Sequence, residues 1–288
     1  MSPTPSAPPS LNGRIDPPPL AAASLERWFA DSVANATTQV EVVAVTGSTN
    51  EDLLIRCRQR QPQVPLLRAA DHQTEGRGRR QRAWIARPRT ALLFSLAVPL
   101  ASLAAALPAI TLASGVALAE YLSQRGVPVT LKWPNDLLYQ GRKLGGILCE
   151  LAVDGDGRTT LVIGVGINGW LDAEERTAIA QPAAALAEVV APSLLAVERE
   201  AWIAQLAAAV LTAVHDYLGN GFAPLRDRYN ALLHARGEAV DVVDDGQIVA
   251  SGKLVEVDSS GRLVLATAAG TRAINVGDVS LRRGAATS

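Results

Sequence analysis

Only three of the 27 basic residues in this chain are lysines, and two of them, Lys132 and Lys143, fall within twelve residues, KWPNDLLYQGRK. KWPND at 132–136 groups an ammonium, an indole, a proline, an amide and a carboxylate at the end of a predicted strand. A buried lysine needs a partner, and Asp136 can supply one or can help hold a divalent ion against phosphates, with Asn135 between them. The competing reading is a strand-to-turn corner with Trp133 in the core. Lys143 enters an apolar strand just before Gly145 and Gly146, so its charge can project over a site while the glycines clear space. A hairpin shoulder would read the same way. GRGRR at 76–80 puts Arg77, Arg79 and Arg80 among glycines, which suits a phosphate or carboxylate, since glycine lets backbone amides approach and guanidinium grips with several donors. Taken alone it reads equally well as a solvated basic loop. GVGIN at 164–168 bares one strand face at Gly164 and Gly166, ahead of Asn168, either for a flat ligand or for a neighbouring backbone.

Those residues need elements to position them. VEVVAV reads as a strand running into GSTNEDLL, so Ser48, Thr49 and Asn50 stand between a strand and a helix that continues through EDLLIRCRQRQ. VPLLRAADHQ is a second strand; His72 and Gln73 close it and Trp84 follows the basic loop. His72 on its own reads as structural or solvated. ALLFSLAVPL gives a strand, LASGVALAEYLSQRG a helix ending at Gly126, and VPVTLKW another strand. GILCELAV and TTLVIGVGI flank DGDG as a hairpin. Residues 172–218 read as alanine-rich helix, broken near 181–182 and Pro192, serving as cover rather than chemistry. Near 235 the composition shifts to about five short strands separated by DDG, SSG and AAG, the pattern of a small antiparallel barrel or sandwich packed on the larger unit. Residues 1–20, rich in Pro and Ser, read as a disordered leader.

Composition bounds the function. Length 288 accommodates one large domain with a small companion, and a net charge of -1 disfavours a surface built wholly for nucleic acid. Cys57 and Cys149 cannot make a disulfide framework, which fits a reducing, cytoplasmic setting. Residues 90–119 carry no charge, yet they divide into strand, loop and helix rather than a membrane span. GRGRR is neither a Walker loop nor a GxGxxG fingerprint, and the chain has no GxSxG elbow and no cysteine with a histidine nearby.

Taken in order, STN, GRGRR, KWPND, RKLGGIL, GVGIN and the terminal strand-rich unit resemble the biotin protein ligases over about residues 38–284. The resemblance implies an α+β fold: a mixed sheet with helices on one side in a catalytic domain at 21–234, and an SH3-like β-barrel at 235–288. It implies ATP-dependent formation of biotinyl-5'-AMP, Mg²⁺ support, and transfer of biotin to one lysine of a biotin carboxyl carrier protein. Carried onto matching positions, Ser48, Thr49, Asn50, Gln73, Arg77, Gly145, Gly146, Gly164 and Gly166 would form the biotin pocket. Arg79, Arg80, Trp84, Lys132, Asn135, Lys143 and Asn168 would serve the adenylate. Lys143, Arg77, Arg79 and Lys132 would carry catalysis, and Asp136 would support Mg²⁺.

One departure stands out, because the family loop commonly reads GRGRRG and position 81 here is Gln81. Bifunctional relatives place a helix-turn-helix domain first, whereas a Pro-rich leader and one helix stand here, so DNA binding is not expected. Lipoyl or octanoyl attachment, with related fold and chemistry, is the competing enzyme class, and a nonenzymatic interaction module the other. Carrier recognition by strand-edge pairing and dimerisation through another sheet edge both remain open.

Overall fold

In the computed structural model of the chain, residues 16–32, 37–101, 109–179, 181–244, 247–275 and 280–283 are described. The larger unit is built on strands β1 (Gln39–Thr46), β2 (Leu66–Gln73), β3 (Ala91–Pro99), β4 (Thr130–Lys132), β5 (Asp136–Tyr139), β6 (Arg142–Val153) and β7 (Thr159–Asn168). They form one seven-stranded sheet in the order β1-β2-β3-β7-β6-β5-β4. Only β1 and β2 run parallel, and every other neighbouring pair is antiparallel. The sheet is therefore mixed.

Alternation along the strands decides which side chains meet which layer. Leu92, Phe94, Leu96 and Val98 of β3, with Leu161, Ile163, Val165 and Ile167 of β7, face the main core. Helices α1 (Ala22–Ser32), α3 (Ile110–Gln124) and α6 (Arg199–Asn220) cover that face. The opposite face carries α2 (Thr49–Gln59), whose Leu53, Leu54 and Cys57 pack with Leu66, Ala97, Ala152 and Val162. Helices thus lie on both faces rather than one, and α2 covers only half of its side. The uncovered half is the site.

The segment at 90–119 divides as its prolines predict: β3 and α3 are separate elements, and residues 102–108 lie outside the described ones. Among the described residues α6 is long and apolar enough to cross a membrane, but Trp202, Ile203, Leu206, Val210 and Leu211 are buried against the rest of the core. Between β7 and α6 lie two six-residue helices, α4 (Ala173–Ala178) and α5 (Pro192–Val197). Pro192 begins α5, where its missing N–H costs nothing, instead of breaking a helix.

The leader is held from position 16 onward, while residues 1–15 lie outside the described ones. Asp16 pairs with Arg89 at 2.6 Å, and the Leu20 N–H donates to the Asp71 carboxylate at 3.2 Å. Asp71 is also paired with Arg199, both buried, so α6 is tied to β2 through a charge pair. Breaking such a pair costs about 3–5 kcal/mol because it strands a buried charge.

Helix α7 (Arg226–Leu232) leads to β8 (Ala239–Asp244), β9 (Gln247–Val257), β10 (Leu263–Thr267), β11 (Gly270–Ile274) and β12 (Ser280–Arg283). These make a five-stranded antiparallel sheet in the order β11-β10-β9-β8-β12, and among the described residues no pairing closes it into a barrel. It docks on the larger unit through specific polar contacts. Asn230 donates to Val257 O at 2.9 Å and accepts from Val257 N at 2.7 Å, and the Trp133 indole N–H donates to Gly261 O at 3.2 Å.

Candidate active site

Pairing register lines up a row across the sheet: Lys132 lies opposite Asp136, Asp136 opposite Gly146, Gly146 opposite Gly166, and Gly166 opposite Leu93. Two residues along, a second row runs Leu148, Gly164, Ser95. Both rows lie on the face that α2 leaves open, and both line one cavity. The first row is charged at one end and bare at the centre. The second is floored by a hydroxyl and capped by the start of α2.

The α2 end is polar and tightly bonded. Ser48 caps the helix by accepting from the Glu51 N–H. Thr49 N–H and Oγ1 both donate to Gln73 Oε1, at 2.7 and 2.9 Å, which turns the Gln73 amide nitrogen away from the helix. With the Thr49 proton so used, the 2.8 Å contact to Ser95 is a donation from Ser95. Asn50 donates from Nδ2 to Glu150 at 2.6 Å. Ser48, Thr49 and Asn50 are all buried, as is Ser95, the one polar residue within β3.

Loop 76–84 forms the second wall. It closes on itself through Trp84 N to Gly76 O and Gly78 N to Arg82 O, both 2.8 Å. Gly76 is needed for the approach, since a Cβ there would lie 3.0 Å from Trp84 O. Arg77 pairs with Glu51 of α2, and Arg80 reaches across to Asp244 of β8. Arg80 and Gln81 both have φ of 57°, the left-handed region that glycine adopts without cost. The Trp84 ring lies on Gly166, where a Cβ would come within 2.8 Å of its Cε2. The flat group that GVGIN admits here is the protein's own indole, and at Gly164 it is the Asn50 amide, 2.7 Å from a Cβ position.

At the charged end, Lys143 Nζ bonds Asp136 Oδ1 at 2.8 Å and stands 5.9 Å from the Trp84 ring centroid, within cation–π range. The Lys143 backbone is clamped by Lys143 N to Pro182 O and Ala184 N to Lys143 O, each 2.9 Å, and by Asn168 Nδ2 donating to Lys143 O and Ala184 O. Asn135 holds the KWPND turn to β6, its amide donating to Ile147 O at 3.1 Å. Glu188 braces the 181–185 segment: burial opposes its ionisation, but hydrogen bonds from Arg142, Arg176 and the Ala185 N–H hold its carboxyl below the usual value.

The cavity thus gathers Ser48, Thr49, Asn50, Gln73, Arg77, Arg79, Arg80, Trp84, Lys132, Asn135, Asp136, Lys143, Gly146, Gly164, Gly166 and Asn168. Gly145 is not among its lining residues. Adjacent strand residues face opposite ways, and a Cβ at 145 would meet Gly166 O at 2.8 Å and the core side chains of Ile167 and Leu137. Sequence reasoning missed Ser95, Leu148 and the strap at Ile179, Gln181 and Ala183. The sequence predicts cover here, and the strap supplies wall. Ser95 was findable, as a lone hydroxyl in an apolar strand. Among the described residues no cluster of three or more His, Cys, Asp or Glu could hold a metal ion.

Comparison with known proteins agrees with this geometry. The profile of the biotin/lipoate A/B protein ligase family matches residues 42–168, and that of the biotin protein ligase C-terminal domain matches 237–282. The biotin–[acetyl-CoA-carboxylase] ligase of Mycobacterium tuberculosis is 33% identical over 270 residues, spanning 88% of this chain and 94% of that one. The bifunctional ligase/repressor BirA of Escherichia coli is 31% identical over 84% of this chain and 74% of its own. Among solved structures, biotin protein ligase from Aquifex aeolicus in complex with biotin and ATP superposes with a TM-score of 0.69 at 26% identity, covering 85% of this chain and 99% of the other.

Proposed function

The chain belongs to the biotin protein ligase family, and we propose that it joins biotin to ATP as biotinyl-5'-AMP, then passes biotin to a lysine of a carrier protein. The observation that carries this reading is the polarity of one cavity. Hydrogen-bonding groups crowd its α2 end, while Lys132, Asp136 and Lys143 occupy the other, with a glycine-floored channel between them. A molecule with a polar ring at one end and a carboxylate at the other fits that gradient.

In the first step a carboxylate oxygen attacks the α-phosphorus of ATP and pyrophosphate leaves. Two anions must meet, so cations have to offset their repulsion where the charge gathers. In this reading Lys143 serves the reacting oxygens, Arg77 and Arg79 the carboxylate and phosphate junction, and Lys132 the nucleotide phosphates. Asp136 keeps Lys143 in place. Asn168 and Asn135 act by holding the Lys143 backbone and the KWPND turn. Trp84 and Arg80 cover the adenylate, and the loop that carries them excludes water from a hydrolysable anhydride. Ser48, Thr49, Asn50, Gln73 and Ser95 receive the ring of biotin.

In the second step a neutral carrier amine attacks the acyl carbon, the tetrahedral intermediate collapses, AMP leaves with the bonding electrons, and the amine's proton passes to solvent. The carrier is a biotin carboxyl carrier domain of acetyl-CoA carboxylase or a related enzyme, met in the cytoplasm. Residues 21–234 act as the catalytic unit and 235–288 as a cap. A single carboxylate, Asp136, with one oxygen on Lys143, suits Mg²⁺ that arrives on the triphosphate rather than in a protein cage. When bound, the ion draws charge from the leaving pyrophosphate. A ligand panel tests the reading: with ATP and Mg²⁺, biotin should release pyrophosphate while lipoate and octanoate do not. Equal turnover of lipoate or octanoate would move the assignment to lipoyl or octanoyl attachment.

A further inference from the structure

Glu150 has no part in the mechanism above and does not line the cavity, yet it decides how one buried group of the cavity points. Its Oε2 stands 2.6 Å from the Asn50 amide. A carboxylate oxygen accepts, so the Asn50 atom facing it is the nitrogen, and the amide orientation follows. That turns Oδ1 the other way, toward Gly164, where it is buried without a hydrogen-bond partner among the described residues. Asn50 as a whole is 4% exposed. Buried carbonyls without partners are uncommon, and this one belongs to a residue that lines the cavity.

We infer that Glu150 is a positioning residue which presents the Asn50 carbonyl as an acceptor for a ring N–H of the substrate, and so selects a cyclic urea over rings and chains without N–H. This deepens the proposed function and rests on it. The ring end of biotin is a urea with N–H donors, whereas the dithiolane of lipoate and the alkyl chain of octanoate have none. Seating either of the latter leaves Asn50 Oδ1 without a partner, and a site built to hydrogen-bond rejects the analogue that lacks the group. Gly164 is required in the same device, because a Cβ there would take the space of Oδ1.

The test is steady-state pyrophosphate release by full-length Glu150→Ala, Glu150→Gln, Asn50→Leu and the Glu150→Ala/Asn50→Leu pair, with biotin and ATP varied separately. Glu150→Ala lets the amide turn, and the KM for biotin should rise about tenfold, equivalent to about 1.4 kcal/mol. The kcat and the KM for ATP should stay near wild type, since Asn50 is remote from the phosphates. Glu150→Gln keeps an acceptor and should restore the biotin KM. In the Asn50→Leu background Glu150→Ala should add nothing, as two residues acting through one contact are non-additive. The preference for biotin over lipoate should fall with the rise in KM. An unchanged biotin KM in Glu150→Ala, an equal change in the ATP KM, or additivity in the double variant would overturn the inference. Wild-type protein that makes no biotinyl-AMP would instead refute the functional reading, which separates the two failures.

Discussion

Lys143 is held at both ends. Its backbone is clamped by the 182–184 strap and its ammonium by Asp136, and the two side chains are only 21% and 13% exposed. In so little solvent an ion pair is screened weakly and its geometry is retained. Lys143→Ala would remove the cation and leave Asp136 facing the incoming triphosphate. Adenylate formation should fall by about 100-fold or more, as for loss of a transition-state charge partner, while circular dichroism stays native. Near-normal pyrophosphate release by the folded variant would place the reacting oxygens elsewhere. Gln81 carries a different kind of information. Its φ of 57° lies in the left-handed region that glycine adopts freely and a side chain disfavours. Left-handed geometry costs a non-glycine residue roughly 1–2 kcal/mol, so Gln81→Gly should raise the midpoint of thermal unfolding or leave it level despite the added freedom of the unfolded chain. A clear fall in that midpoint would mean the Gln81 side chain contributes contacts that outweigh the backbone term.

At the level of elements, the glycines of β6 and β7 divide into two classes by the faces they serve. Gly166 accommodates the Trp84 indole, a movable side chain, whereas Gly145 accommodates the carbonyl oxygen of Gly166, which is part of the sheet itself. Gly166→Ala should therefore unseat Trp84 and weaken adenylate retention with a modest loss of stability. Gly145→Ala should strain the β6–β7 pairing and lower stability by about 1–3 kcal/mol, the range for overpacking, measured by urea unfolding. The reverse ranking would contradict the assignment of faces. The adjacent pair in RKLGGIL shows how far the sequence could be read. Two neighbouring strand residues cannot open the same face, so one of them belonged to the core, but which one depends on the register against β5, set by a bulge between Leu137 and Leu138. The strands β1 to β3, the β6–β7 hairpin and helices α2 and α3 were legible because their apolar periods and turn residues agree. The short β5 was not, because four residues inside a motif carry too little period to register. The strap at 181–184 was hidden for another reason: it joins the site through backbone hydrogen bonds to Lys143, which leave no mark on side-chain composition.

Over the whole molecule, three motifs distant in sequence converge because α2 covers only part of one sheet face. The terminal sheet then closes on the same region, through Trp133 to Gly261 and Arg80 to Asp244. A net charge of -1 thus coexists with a locally cationic cavity end, where two of the three lysines stand and the third, Lys253, sits on β9 away from it. On the proposed function this cavity makes an acyl-adenylate and hands its biotinyl group to a carrier lysine. The most direct test is a transfer assay with purified chain, biotin, ATP, Mg²⁺ and a biotin carboxyl carrier domain, followed by intact-mass spectrometry of the carrier. The expected result is a mass gain of one biotinyl group that requires every component and disappears when the carrier's acceptor lysine is replaced by arginine. An unmodified carrier, with no biotinyl-AMP detected in the same reaction, would contradict it.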